Sequence, residues 1–167
     1  YFGLDRDILT LSTAELEELQ FDLYVSADAE KYGLERLSLI LSSFPETILN
    51  IDRSWDYWDR LLPFMDEFEC ADRVLLKSPV SEEWLGSLAS HPVKYPYMPI
   101  VKTTQDVELA LNWSDINLVA VEIVAASTDC ALASSSIVEQ LHDRNLLVQL
   151  NALNLPNRVP VSYTHLR

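Results

Sequence analysis

Five polar residues, Asp52, Lys77, Lys102, Glu122 and Asn151, each close a short, mostly apolar run. Two are carboxylates. If the runs are strands whose ends converge, Asp52 and Glu122 share one mouth and suit a hard cation, Mg²⁺ or Ca²⁺, with waters and a substrate phosphate completing its shell. Lys77, Lys102 and the neighbouring Arg53 add positive charge where a phosphodiester anion could sit and be stabilised electrostatically, and Asn151 adds a neutral polar tip. The competing reading of each tip is a solvated strand end or a salt bridge at the rim of the core. Arg53 has a particular difficulty, because adjacent strand residues face opposite ways. If Asp52 faces the mouth, Arg53 lies past the strand end or points outward to pair with Asp56 or Asp59.

The histidines make no catalytic set. His91 follows a predicted helix and falls at the end away from the strand tips, His142 sits near a helix end, and His165 lies in a suspect tail. No Ser-His-Asp, Cys-His, phosphate-loop or dinucleotide pattern can be assembled, and three glycines leave no glycine-rich loop. No catalytic residue is therefore assigned. Trp55, Tyr57 and Trp58 either form an aromatic lip or, the reading preferred here, pack the next helix.

The tips depend on the elements that carry them. Apolar runs at about 47–52, 73–77, 97–102, 117–123 and 146–151 alternate with amphipathic segments at about 54–70, 81–90, 104–112 and 134–145. Ser54, Ser81 and Thr104 are expected N-caps, and Pro63 is expected to kink or break its helix. Upstream, "LSTAELEEL" reads as a helix opened by a Ser12–Glu15 capping box, residues 20–33 read as irregular, and residues 34–43 read as a second helix. Near-continuous apolar strands alternating with helices predict a parallel α/β sheet. Open sheets need polar tips only at a switch point, whereas barrels collect every tip at one mouth. Five polar tips out of five favour the barrel, and their spacings of 25, 25, 20 and 29 residues fit one unit per tip, so that eight units would exceed this chain. The expected fold is a partial TIM (β/α)₈ barrel lacking the first strands and the last strand, a single domain over residues 1–160. "VSYTHLR", residues 161–167, reads as a non-native tail.

Composition narrows the partners. With 26 acidic and 12 basic residues the formal charge is −14, which argues against a nucleic-acid partner. No apolar run approaches the roughly 18 residues of a membrane span. Cys70 and Cys130 lack metal-ligand spacing and read as reduced, mostly buried thiols, as in a cytoplasmic protein.

The runs "ILNIDRSWDYWDRLLPFMDEF", "RVLLKSP", "YMPIVKT", "LVAVEIV" and "LLVQLNAL" resemble the middle and late strands of glycerophosphodiester phosphodiesterases, in the phosphatidylinositol-phospholipase-C-like barrel superfamily. The similarity extends to "DILTLSTAELEEL" and spans about residues 8–155. The resemblance implies a metal-dependent hydrolase that cuts a small-molecule glycerophosphodiester to glycerol 3-phosphate and an alcohol, with two histidines as acid and base. The family's His-Arg, Glu-x-Asp and His-Asp motifs are absent from this chain, so it is expected to be an inactive fragment. Where the family shows Glu-x-Lys this chain has Asp52 and Arg53, a carboxylate one methylene shorter that either binds the metal or orients a ligand. Lys77 and Glu122 fall where the family keeps polar strand ends near phosphate and metal, and Asn151 where its penultimate strand points a tip inward. Two alternatives stand beside this reading: a non-enzymatic acidic α/β domain that binds a basic partner, and a different phosphate-handling barrel.

Overall fold

The computed structural model describes residues 6–7, 10–21, 32–125, 127 and 130–151. The chain forms two compact units, Tyr1–Pro45 and Glu46–Arg167, where the sequence reading takes residues 1–160 together. The expectations for residues 152–167 lie outside the described residues.

In the first unit α1 (Thr13–Glu17) opens as expected on a reciprocal Ser12–Glu15 capping box. Hydrogen bonds from Ser12, backbone first and hydroxyl next, and then from Arg6 hold the Glu15 carboxyl down at about 2. The stretch expected to be irregular instead contains β1 (Gln20–Phe21) and β2 (Tyr32–Gly33), paired antiparallel. Two-residue strands carry too little periodicity to be read from sequence. Helix α2 (Leu37–Ser43) has no side-chain cap, and the Arg36 guanidinium that precedes it bonds Glu17.

The second unit is α/β, with a curled, all-parallel sheet that forms a half-barrel. Its elements are β3 (Leu49–Ile51), α3 (Trp58–Asp66), β4 (Val74–Pro79), α4 (Glu82–Ser90), β5 (Pro96–Val101), α5 (Thr104–Asn112), β6 (Asn117–Leu118), β7 (Ala120–Val124), α6 (Ser135–His142) and β8 (Leu147–Asn151). The strand order β3-β4-β5-β7-β8 follows the chain, with the short β6 pairing β5 just before β7 begins. Consecutive order is what a barrel requires and what a doubly wound sheet, which reverses at its switch point, does not have.

Local chemistry sets the element ends. Ser81 caps α4 by accepting from the Trp84 N–H at 3.3 Å. The α5 cap is Thr103 rather than the expected Thr104, in a second capping box with Asp106. The Ser54 hydroxyl caps no helix; it accepts from Trp58 Nε1 at 3.2 Å and so ties the aromatic segment to the end of β3. Helix α3 runs through Pro63 without the break that was one of the two expected outcomes. Both Pro63 and Asp59, whose carbonyl loses its partner four residues on, are exposed, so water can serve that carbonyl. Asn145 ends the α6 turn at φ 58°, a left-handed conformation Asn tolerates, while the Leu146 N–H reaches back to the Leu141 carbonyl at 3.1 Å.

The sheet packs its convex face on the helices. Val101, Val121 and Ile123 meet Val107 of α5 and Leu141 of α6 in one buried cluster. Next to it Trp58 of α3 makes edge-on contacts with Trp84 and Tyr97, which is the helix-packing role preferred for the aromatic segment. The central strands are buried on both faces, whereas β8 is largely exposed, with Leu147 at 71%. Position in the strand order, rather than apolar content, decides which strands are covered. No helix among the described residues is long and apolar enough to cross a membrane; Cys70 is buried and Cys130 partly buried.

Two outcomes follow from this packing. Leu141→Ala, which empties a fully buried position, should lower unfolding stability by about 2–5 kcal/mol, while Leu147→Ser should stay within about 0.5 kcal/mol; urea titration separates them. Burial lifts the Tyr97 phenol to about 12, against a smaller downward pull from the Ser78 hydrogen bond. Tyr95 is raised as well, by burial first and then by its bond to the Asp66 carboxylate. Above roughly pH 10 the unfolded chain sheds phenolic protons that the folded chain retains, so stability present below that pH is lost as pH rises. Burial raises the Cys70 thiol too, so the urea midpoint should begin to fall near about pH 9, where the unfolded thiol ionises, and fall further between about 10 and 12, less steeply in Tyr97→Phe.

Candidate functional site at the carboxyl end of the sheet

Strand alternation sorts the polar residues. Ser78 bonds the Tyr97 hydroxyl at 2.8 Å on the helix side, so its neighbour Lys77 faces the concave side. Val121 and Ile123 point into the helix-side core, which turns Glu122 between them to the concave side as well. Register then aligns the tips: Lys77 pairs with Met98, Ile100 with Glu122, and Val124 with Asn151. Strand β5 lies between β4 and β7, and it presents Met98 and Ile100 on that face.

Across this apolar floor the Lys77 ammonium contacts Glu122 Oε2 directly, with the two side chains only 7% and 3% exposed. Asn151 Nδ2 donates to Glu122 Oε1 at 2.7 Å and fixes the carboxylate plane. On the other side, Lys77 Nζ lies 3.9 Å from Asp52 Oδ1, on a side chain 51% exposed. That oxygen also accepts the Arg53 N–H at 3.0 Å, as the chain turns through a left-handed Arg53 at φ 52°. Four strands thus contribute to one connected group, Asp52–Lys77–Glu122–Asn151. Such a buried pair is held only when its geometry offsets the desolvation of both ions, and Asn151 supplies part of that compensation.

The other expected residues lie outside the group. Lys102 is exposed just past β5, and its backbone N–H bonds Asp106 Oδ2 at 2.8 Å. Arg53 is exposed past the end of β3, and the pairing with Asp56 or Asp59 does not form; Asp59 faces Arg60 at 3.9 Å. His91, as expected, stands at the opposite end, where Asp66 takes its Nε2 at 3.0 Å and the Tyr95 hydroxyl at 2.8 Å. Sequence reasoning missed two bonds, Asn151 to Glu122 and Ser78 to Tyr97; both are cross-strand contacts that become visible only with the register in hand.

The donors present fit a hard cation in kind. Glu122 is a buried carboxylate with Oε2 against the Lys77 ammonium and Oε1 on Asn151 Nδ2, and Asp52 offers a second carboxylate open to solvent. The position between them is held by the Lys77 ammonium, and no group of three or more His, Cys, Asp or Glu side chains gathers among the described residues. Two carboxylates and one ammonium leave the group with one net negative charge, which attracts a cation before an anion. Comparison with protein-family models, curated proteins and solved structures gave no match to this chain.

The two carboxylates should respond differently to neutralisation. Glu122→Gln strands a buried ammonium and should cost roughly 3–5 kcal/mol. Asp52→Asn, half exposed and farther from Nζ, should cost at most about 1 kcal/mol. Equal losses by chemical denaturation would show that burial does not set the strength of this pairing.

Proposed function

We propose that the half-barrel belongs to a (β/α)₈ barrel and that its carboxyl end handles glycerophosphodiesters with Mg²⁺ or Ca²⁺, in the manner of the phosphodiesterases its strands resemble. The observation that carries this reading is the convergence of Asp52, Lys77, Glu122 and Asn151 from four strands on one end of a parallel sheet. Asp52 and Glu122 would hold the metal, which when bound would neutralise charge on the phosphodiester oxygens. Lys77 would meet the phosphate from inside the group. Lys102 and Arg53, exposed at the same end, would add positive charge at the rim. The products of the parent activity would be glycerol 3-phosphate and an alcohol.

Of the described histidines none stands at this mouth: His91 lies at the opposite end and His142 in the last turn of α6. General acid and base groups contribute factors of about 10²–10⁴ each. This chain should therefore bind without turning over. Calorimetry with glycerol 3-phosphate should show binding that requires Mg²⁺ and weakens in Asp52→Asn, while glycerophosphocholine remains uncleaved. Binding unaffected by chelation, or absent at millimolar ligand, would overturn the reading; metal-dependent release of glycerol 3-phosphate would place an acid and a base among other residues of the chain.

A further inference from the structure

We infer that Lys77 is a carbonyl-capturing amine: its Nζ forms an imine with a small neutral aldehyde or ketone, and Glu122 carries the protons. The inference goes beyond the phosphodiester reading and needs neither its metal nor its phosphate. Among the described residues Lys77 is the only buried lysine or arginine, and it stands on the concave face toward the carboxyl end of the sheet, away from the helix-side core. A pair kept only to fill space has no need of charge, since apolar side chains of similar volume serve a core as well or better. The contacts suit proton transfer to and from the lysine nitrogen. Glu122 Oε2 lies against Lys77 Nζ, close enough to take a proton as the amine attacks, while Asn151 Nδ2, 2.7 Å from Oε1, keeps the carboxylate from turning away. Met98, beside Lys77 in register, and Ile100, beside Glu122, supply an apolar floor for the carbon skeleton. The way in is past Asp52, whose side chain is half exposed and 3.9 Å from Nζ. Two carboxylates against one ammonium favour a neutral carbonyl compound over an anionic one.

The step balances without a further reactant. Lys77 passes one proton to Glu122 Oε2, and the nitrogen lone pair forms the C–N bond as the carbonyl π pair moves to oxygen. A second proton moves from nitrogen to that oxygen, which then takes the proton held by Glu122. The C–O bond breaks, water leaves, and the nitrogen lone pair closes the iminium. Glu122 ends as a carboxylate, and the positive charge that began on the ammonium ends on the iminium nitrogen. That charge keeps its place beside the same two carboxylates, so the site need not reorganise around it.

The test incubates the full chain with dihydroxyacetone and cyanoborohydride, which reduces imines, and reads each lysine by peptide mass spectrometry. In the folded chain Lys77 should gain the reduced adduct about tenfold or more faster than the exposed Lys102, and in urea the two should label at the same rate. Chelator should change neither rate. Glu122→Gln should bring Lys77 labelling down to that of Lys102 or below, and Asn151→Ala should lower it several-fold, with Lys102 unchanged and folding followed by circular dichroism. If Glu122→Gln does not fold, Asn151→Ala and the wild-type ratio decide. Lys77 labelled no faster than Lys102 in the folded wild type, or labelled at the wild-type rate in every folded variant, would overturn the inference and leave the phosphodiester reading standing. Loss of Mg²⁺-dependent glycerol 3-phosphate binding would remove that reading alone.

Discussion

An ammonium and a carboxylate removed from water in the middle of a sheet are the constraint on which the concave face depends. Lys77 and Glu122 reach each other across β5, so three strands must hold their register for the contact to exist. A slip of one residue on either flank would turn one of these charges into the helix-side core, where Val121, Ile123 and Leu76 are sealed. The pair therefore selects a register as well as a site. The apolar row on one face and the ionic contact on the other demand the same alignment, and agreement of that kind specifies a single structure.

Much of the second unit was legible in the sequence because its strands and helices have different periods and lie in separate segments. The tips Asp52, Lys77, Glu122 and Asn151 were readable as polar interruptions of apolar runs, and the structure joins them. Lys102 was read by the same rule and, like Asp52, lies one step beyond its strand, but there the Thr103–Asp106 cap takes over the backbone and the side chain stays exposed. Alternation places a side chain on a face; it does not say how far past the last ladder bond the chain continues. At helix α3 proline chemistry predicts a kink or a break; the helix does not break, because an exposed carbonyl at Asp59 can bond to water, and burial at that position could not be read from composition.

The internal geometry of the site was not legible. That the Lys77 ammonium stands against the buried Glu122 carboxylate and 3.9 Å from Asp52 depends on how the sheet curls and on which strand is central. Sequence reading placed Asp52 and Glu122 at one mouth with no difference in burial, yet one is half exposed and the other buried beside Asn151. Their chemistry differs accordingly: Glu122 fixes the group, and Asp52 faces what approaches it.

The strand order carries a consequence for assembly of the chain. Each parallel neighbour in the sheet is the next strand along, so the loops that must close are those of single strand–helix–strand units, and no strand waits for a distant partner. Such a sheet can grow outward one unit at a time. The polar group, by contrast, draws on β3, β4, β7 and β8 together and is complete only once the last of these has docked. In any order of assembly in which β8 docks last, Glu122 stays open to water on the side that Asn151 covers, and the ion pair is fully desolvated only at that step.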